Sequence, residues 1–292
     1  TDVRACVHKD VSGGRCDCLD IELENAEKWL RWNPQTDDTI EAVAGKYTTG
    51  TLYLNAILPE GDHFRVIATS LKSAAKRKAW QSFTGAKLKD IFASCAAQCG
   101  MEWRTYGMDE NATYSYIERE NEGCAAFLDR LTRLEGAMLK TVCGRLTGIG
   151  IEYAQEIAAV HNIEIGANQR GVERSKREDI KYSAVTIKTP YAEATAIDES
   201  AVQRESITYT DHPATSNMQA GRWARGLLLH NNRLADRIII RSDFNPGMTA
   251  MACVDITSDT DENGEWIADA ATHDLVNLRT TVELLRKVTI IR

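Results

Sequence analysis

The fold of this chain is decided by the stretch from Phe83 to Lys140, FTGAKLKDIFASCAAQCGMEWRTYGMDENATYSYIERENEGCAAFLDRLTRLEGAMLK. Two sets of apolar residues in it recur at spacings of three and four, which is the periodicity of an amphipathic helix. The first set comprises Leu88, Ile91, Phe92, Cys95, Ala96 and Cys99. The second set comprises Cys124, Phe127, Leu128, Leu131 and Leu134. Strand-like segments lie beside both helices, so the stretch predicts a packed α/β subdomain.

The ends of these two helices carry their own signals. Gly100 and Gly136 follow the last apolar residue of each set, and glycine commonly ends a helix because it adopts the left-handed conformation without strain. Asn121 precedes the second set and has a side chain that can cap a helix N-terminus. We therefore expect the first helix to end at Gly100, and the second to begin after Asn121 and to end at Gly136.

The regions on either side of this stretch read as β-structure. Apolar residues alternate with polar ones before residue 78 and again after residue 180, with turn residues between the runs. The class predicted is α+β, mainly β, with two small β-barrel-like domains and an α/β insertion subdomain. The predicted boundaries are 1–78 for the first β-barrel domain, 79–171 for the α/β subdomain and 172–292 for the second, which has a helical insertion near 217–238.

The order of residues in the central stretch resembles the late-control D family of phage tail proteins, the baseplate hubs of contractile tails. That family has a Leu-x-x-Ile helix ending in Gly, then an acidic segment running into Phe-Leu-x-Arg-Leu and a second helix-ending Gly. The matching residues are Leu88, Ile91, Gly100, Glu118, Glu120, Asn121, Glu122, Phe127, Leu128, Arg130, Leu131 and Gly136. Further similar segments are 36–57, 221–256 and 266–288, the last with Trp266, His273, Thr280, Thr281, Glu283 and Leu284.

The resemblance implies a structural protein of a virion or particle tail baseplate, assembled in the bacterial cytoplasm. It implies a homotrimer whose two β-barrels per chain present six similar surfaces, and which adapts a six-fold tail tube to a three-fold spike. The implied partners are the tail tube protein, the central spike protein and other baseplate proteins. The closing strands, near Thr280 to Ile291, are expected to be needed for assembly of the trimer and the particle.

Composition and charge fit an ordered globular protein. The chain is 43% hydrophobic and 26% charged, and its net charge of −7 disfavours nonspecific binding to nucleic acid. We expect DNA only to pass through the lumen of the assembled particle. The sequence has no run of about 20 apolar residues of the kind that spans a bilayer, so no membrane insertion is predicted.

No catalytic, cofactor or metal site is predicted from the motifs. Phosphate loops, nucleophile elbows and paired zinc-ligand spacings do not occur, and Cys16-Asp17-Cys18 is too tight for the usual two-residue ligand loop. Several of the 8 cysteines fall on the apolar stripes, which favours buried free thiols over disulfides. The chain is therefore predicted not to be an enzyme.

Tryptophans supply the candidate interface residues. Six are spread over all the predicted domains, and most are expected to lie in hydrophobic cores. Trp29 and Trp32, beside Asn33-Pro34, are the better candidates for a subunit contact, since tryptophan is enriched at interfaces. Two alternative functions stay open, a tail-associated peptidoglycan hydrolase and the hub portion of a type VI secretion spike.

Overall fold

The computed structural model describes residues 2–166, 169–201 and 205–288. The chain is mainly β with helices interspersed, which confirms the predicted α+β class. The α-helices in these residues are α1 (Ala26–Leu30), α2 (Leu88–Cys99), α3 (Cys124–Leu134), α4 (Ile151–Glu156) and α5 (Asn217–Asn232). Short 3-10 helices span Ser73–Lys76 and Glu178–Ile180.

The strands divide into those before α3 and those after it. The earlier strands are β1 (Val3–Val11), β2 (Cys18–Glu24), β3 (Thr39–Ile40), β4 (Val43–Ala44), β5 (Tyr47–Thr48), β6 (Leu52–Glu60), β7 (His63–Thr69), β8 (Ala79–Lys87), β9 (Glu102–Tyr106) and β10 (Thr113–Glu122). The later ones are β11 (Ala137–Val142), β12 (Arg145–Gly150), β13 (His161–Glu164), β14 (Val172–Lys176), β15 (Ala184–Lys188), β16 (Glu193–Ile197), β17 (Ser206–Tyr209), β18 (Asp236–Asp243), β19 (Cys253–Thr257), β20 (Gly264–Asp274) and β21 (Arg279–Arg286). Of the predicted closing segment, residues 289–291 lie outside the described part of the chain.

One large sheet joins the two ends of the chain. Its strand order is β14-β18-β21-β20-β1-β2-β7-β6-β3, and β19 pairs with both β20 and β13. In the described residues no pairing between β14 and β3 closes this path, so the expected β-barrels are instead parts of an open sheet. The antiparallel pair β1–β20, which we call the seam, is where strands from the first and last segments meet.

Each side of the seam has its own hydrophobic core. The N-terminal half, which comprises β1, β2, β7, β6 and β3, buries Leu19, Leu52, Leu54, Phe64 and Val66. The C-terminal half, which comprises β20, β21, β18, β14, β19 and β13, buries Ile238, Val254, Trp266, Val282 and Leu284. The division of the chain into domains at residues 78 and 171 stays a prediction, but the sheet does have two separately packed halves.

The α/β region packs around the two predicted helices. Every residue of both apolar stripes is buried in one core, which confirms the helical periodicity. The same core includes Val185 and Ile187 of β15 and Trp223 of α5. Because α5 is continuous from Asn217 to Asn232, the predicted helical insertion is an unbroken helix that lies against this core.

Two of the three predicted helix boundaries are confirmed. Gly100 caps α2 in the left-handed conformation, at φ 59°, and Gly136 follows the end of α3 at φ 67°. The prediction for Asn121 was wrong, because Gly123 occupies the N-cap of α3. Asn121 instead adopts φ 49° within β10, where the pairing with β8 shifts register, so its left-handed conformation serves a bulge in the strand.

Candidate functional site

The two candidate tryptophans lie together at the edge of the N-terminal half. Trp29 belongs to the short helix α1, and Trp32 follows that helix in the turn. Their rings meet edge to face, with centroids 6.5 Å apart and planes at 73°. Trp29 packs against the core, and its indole N–H donates to the Glu24 carbonyl oxygen at 3.1 Å, whereas Trp32 is 47% exposed. The structure therefore brings together the two residues predicted from the sequence.

An open apolar groove runs beside this pair, with a volume of about 610 Å³. We call it the tryptophan groove. Its lining consists of Val3, Cys6, Ile21, Leu23, Trp29, Trp32, Ile40, Glu41, Ala42, Val43, Ala44, Val66, Leu275 and Val276. Large side chains that soluble proteins normally bury are exposed there, most of all Val43 at 68%. An apolar groove with an exposed tryptophan at its edge is a candidate surface for binding another protein.

The chemistry of the lining fits contact and not catalysis. Its ionisable side chains are Cys6 and Glu41. Burial raises the pKa of the Cys6 thiol to about 11, so this group stays protonated at neutral pH and is a poor nucleophile. The Glu41 carboxylate accepts a hydrogen bond from the Thr48 hydroxyl. The groove thus offers apolar surface with one anchored carboxylate.

The β4–β5 hairpin forms one wall of the groove, and it lies in the segment 36–57, for which the resemblance implies a strand that turns at a glycine and returns. Val43 and Ala44 precede Gly45, which turns the chain at φ 61°. The alternating apolar residues predict a strand of a packed barrel there, so the exposure of Val43 is the part that the sequence does not predict. An apolar pair directly before a tight turn was the available signal, since a two-residue strand has little sheet to pack against.

The seam contains a buried aromatic and histidine cluster. His8 and His273 are directly opposite each other in the β1–β20 pair. His8 Nδ1 lies 2.5 Å from the Tyr47 hydroxyl, and the rings of Tyr47 and His273 have centroids 4.5 Å apart. Burial lowers the pKa of His8 to about 4 and also lowers that of His273, so both rings are neutral at pH 7. The joint between the two halves is therefore packed and uncharged at this point.

A second buried group ties the α/β region to the sheet. Lys140 of β11 donates to the carboxylates of Asp10 and Asp17 and to the Val11 carbonyl oxygen, the last at 2.9 Å. The other Asp10 oxygen accepts from the Ala250 backbone N–H at 2.9 Å. Burial raises the pKa of Asp17 to about 7. Lys140 and Asp10 together thus link β11, β1 and the segment before β19.

A metal centre and a membrane-spanning helix are both absent from the part of the chain that the structure describes. There, no group of three or more His, Cys, Asp or Glu side chains has an arrangement able to hold a metal ion. None of the described helices combines the length and the hydrophobicity needed to cross a bilayer.

Comparison with known proteins gives similarity at the level of the fold. No protein-family model matches the sequence, and no curated protein does. Among solved structures, the 43 kDa tail protein of prophage MuSo2 from Shewanella oneidensis is 12% identical, with a TM-score of 0.74 over 97% of this chain and 94% of that one. A tail protein from Neisseria meningitidis MC58 is 10% identical, with a TM-score of 0.75 over 97% and 92%.

A third structure extends the similarity to secretion systems. The E. coli c3393 protein, described as a component of the type VI secretion system with structural similarity to the T4 bacteriophage tail proteins gp27 and gp5, is 10% identical. Its TM-score is 0.60, over 100% of this chain and 77% of that one. The chain therefore has the fold of phage tail and tail-related proteins.

Proposed function

We propose that this protein is a structural baseplate hub of a contractile phage tail or tail-like particle. In this role it acts as a homotrimer that adapts the six-fold tail tube to the three-fold central spike, and it catalyses no reaction. The observation that carries the proposal is the fold shared with two tail proteins over more than nine-tenths of all three chains. Because the similarity covers nearly the whole of each chain, it favours a common architecture for the entire protein over a single shared domain.

The two halves of the large sheet give this role a geometric basis. Each half packs its own core, and the seam fixes one half to the other. Three such chains around an axis would present six sheet halves, which is the number needed to meet a six-fold tube. The lysine link through Lys140 would hold the α/β region at a fixed angle to both halves.

We assign the tryptophan groove to the contact between subunits. Interfaces are enriched in tryptophan and depleted of charge at their centre, and the groove has two tryptophans and a single charged side chain, Glu41. We then expect the tube protein, the spike protein and other baseplate proteins to bind to other surfaces of this chain. With a net charge of −7, DNA would pass the assembled ring without being held by it.

The direct test is the mass of the purified protein in solution, measured by light scattering coupled to size exclusion. We expect a mass three times that of the 32.5 kDa chain. A stable monomer at micromolar concentration would contradict the homotrimer. Clearing of a cell-wall suspension by the same sample would contradict the absence of catalysis and support the hydrolase alternative.

A matched pair of variants tests the groove. Trp32→Ala removes an exposed indole from the groove, and Trp80→Ala removes an indole that is 68% exposed on β8, outside it. We expect Trp32→Ala to weaken the trimer at least tenfold and Trp80→Ala to leave it unchanged. If the two variants had equal masses at every concentration, the groove would not be part of the interface.

The hub portion of a type VI secretion spike is a second candidate, favoured by the c3393 similarity over the whole of this chain. Co-purification with a separately encoded spike protein would support the phage-type hub. Isolation of this fold only as part of a longer spike chain would support the secretion system.

A further inference from the structure

The strand β8 is an outer strand of the α/β region, and the proposed function does not use it. It spans nine residues, from Ala79 to Lys87, and forms a two-stranded sheet with β10. In the described residues β10 is its only strand partner, so the other edge of β8 has backbone N–H and C=O groups without a strand to pair with. Such an edge is a ready template for a further strand.

One face of β8 packs against the core, which holds the strand in place. The Phe83 ring stacks on that of Phe127, with centroids 5.7 Å apart. The Gln81 amide donates to the Ser94 hydroxyl of α2 at 3.2 Å. The opposite face is open to solvent, and Trp80 on it is 68% exposed. A partner would therefore meet a strand that is already extended and fixed in position.

The edge of β8 lacks the features by which proteins normally protect an outer strand. Protected outer strands are short, carry charges or contain proline. Residues 79–84 have the sequence AWQSFT, which contains neither a charge nor a proline. Gly85 adopts φ 62°, so the regular extended backbone ends there. We call residues 79–84 the open edge.

Other outer strands of the described chain do have such protection. The strand β14 has the sequence VERSK, and β3 has only two residues. Within the same two-stranded sheet, β10 contains Glu118, Glu120 and Glu122. The open edge differs from these strands in being both long and uncharged.

Basic residues stand at both ends of the open edge. Lys76, Arg77 and Lys78 precede it, and all three are exposed. Lys87 and Lys89 follow it. Opposite charges across an interface attract the right partner and like charges exclude the wrong one. The strand that fits best here has an uncharged centre with acidic residues at both ends.

A second copy of this chain does not supply that strand. Two β8 strands in antiparallel pairing would bring Lys78 of one copy close to Lys87 of the other, and parallel pairing would bring the like ends together, which is unfavourable. The outer strand β16 starts with an acidic residue, but it has five residues, and its Glu193 is already paired with Lys188 at 2.9 Å. Charge therefore favours a different protein.

We propose that the open edge binds an extended strand of another tail protein, one with acidic residues on both sides of an uncharged centre of about six residues. Backbone hydrogen bonds continue the β8–β10 sheet into the partner, and Trp80 packs against a partner side chain on the same face. The inference rests on the proposed function only in identifying the partner as a tail protein.

The test is peptide binding by the purified full chain, measured by fluorescence anisotropy of dye-labelled synthetic peptides. One peptide has three Thr-Val repeats between two acidic pairs, and a second has the same repeats between two lysine pairs. A third is the acidic peptide with its two central residues replaced by proline, which cannot donate a backbone hydrogen bond.

At low salt we expect the acidic peptide to bind at least about tenfold more tightly than either of the others. Equal binding of the three peptides, or no binding of the acidic peptide below about 1 mM, would overturn the proposal. This comparison needs no substitution in the protein, so it decides the matter even if a variant folds poorly.

Matched variants locate the binding on β8. Trp80→Ala should weaken binding of the acidic peptide at least about tenfold. Tyr191→Ala removes an aromatic ring that is 80% exposed outside β8, and it should leave this binding unchanged. Lys78→Glu should reduce the preference for the acidic peptide over the basic one. Unchanged peptide binding by both Trp80→Ala and Lys78→Glu would overturn the assignment to the open edge.

The mass of the same samples separates this inference from the proposed function. A trimer that binds no peptide would contradict the open edge as a binding site and leave the homotrimer intact. A monomer that binds the acidic peptide would contradict the homotrimer and support the open edge. Growth of the mass beyond three chains, suppressed by the acidic peptide, would mean that a second copy occupies the edge and would overturn the proposed partner.

Discussion

The two halves of the large sheet differ in how far their tryptophans are exposed to solvent. In the N-terminal half, Trp29 and Trp32 stand beside an open apolar groove, and Trp32 is 47% exposed. In the C-terminal half, Trp266 is 2% exposed, its indole N–H donates to the Glu262 carbonyl oxygen at 2.8 Å, and the Arg286 guanidinium lies over its ring at 4.5 Å. In the C-terminal half, side chains of the same chain cover the Trp266 ring. In the N-terminal half, Trp32 stays exposed to solvent.

Charged side chains surround and cover Trp266 in the C-terminal half. Arg286 is itself held by Asp236 at 3.4 Å, and Arg174 pairs with Glu262 at 2.8 Å, so salt bridges surround Trp266. The outer strand β14, with the sequence VERSK, carries charges that discourage pairing with another strand. The outer strand β3 of the other half has only two residues and borders the groove. The difference teaches that tryptophan content alone does not distinguish an interface candidate from a core residue, and that the candidate here is an exposed ring beside an apolar groove.

The largest effect is expected from Trp266→Ala. Removing a large, fully buried side chain should lower the free energy of unfolding by about 3–5 kcal/mol, because it leaves a cavity in the core of the C-terminal half. Urea denaturation followed by circular dichroism measures this change. A loss below about 1 kcal/mol would mean that the sealed tryptophan is not part of a rigid core.

Acid should weaken the seam between the halves. The folded state holds the pKa of His8 at about 4, below the ordinary value of 6.5, so the unfolded chain binds more protons between these values. Stability is then complete above pH 6.5 and is lost as the pH falls toward 4, by up to about 3 kcal/mol for this residue. Denaturation of the wild type and of a variant without this histidine at pH 7.5, 6 and 4.5 should show the decline as the difference between the two proteins, because the raised pKa of Asp17 acts in the opposite direction in both.

The control for the acid effect is His8→Gln, which does not titrate. We expect its stability to fall less steeply than that of the wild type between pH 6.5 and 4.5. Parallel pH profiles for the two proteins would place the acid sensitivity elsewhere.

A smaller effect is expected from Arg286→Ala, which opens the seal over Trp266. Loss of a cation–π contact of this kind should lower the free energy of unfolding by about 1 kcal/mol and increase the exposure of the ring. Quenching of tryptophan fluorescence by acrylamide measures the exposure. Unchanged quenching would indicate that the strands, and not Arg286, exclude water from Trp266.

The smallest effect on folding is expected from Trp32→Ala. An exposed side chain contributes little to the folded chain, so the free energy of unfolding of the dissociated protein should change by less than about 0.5 kcal/mol. The variant should nevertheless form a trimer that is at least tenfold weaker. A loss comparable to that of Trp266→Ala would mean that the groove is a core and not a contact surface.

The helices α2 and α3 were predictable from the sequence, because their signals are local, whereas the short helices α1 and α4 were not predicted. Residues from Leu88 to Leu134 at three- and four-residue spacing lie on one face whatever they pack against, and both stripes are buried as predicted. The prediction that Asn121 caps α3 was wrong because asparagine both caps helices and adopts left-handed φ in strand bulges. Only the strand pairing of β10 distinguishes these two roles.

The large sheet and the groove were harder to predict, because both depend on contacts distant in sequence. The pairing of His8 with His273 joins residues at opposite ends of the chain, and no local pattern encodes it. Trp29 and Trp32 were identified as interface candidates from residue type. That Val43 and Val276 lie beside them, and that Trp266 is sealed, follows from tertiary packing alone.

The most direct measurement is the rotational symmetry of the assembled protein, from cryo-electron microscopy of the purified complex. We predict a ring of three chains in which the two sheet halves of each alternate around the axis, giving six similar lobes with the tryptophan grooves between neighbouring subunits. A ring of a different order, or halves stacked along the axis with the grooves facing solvent, would contradict the hub.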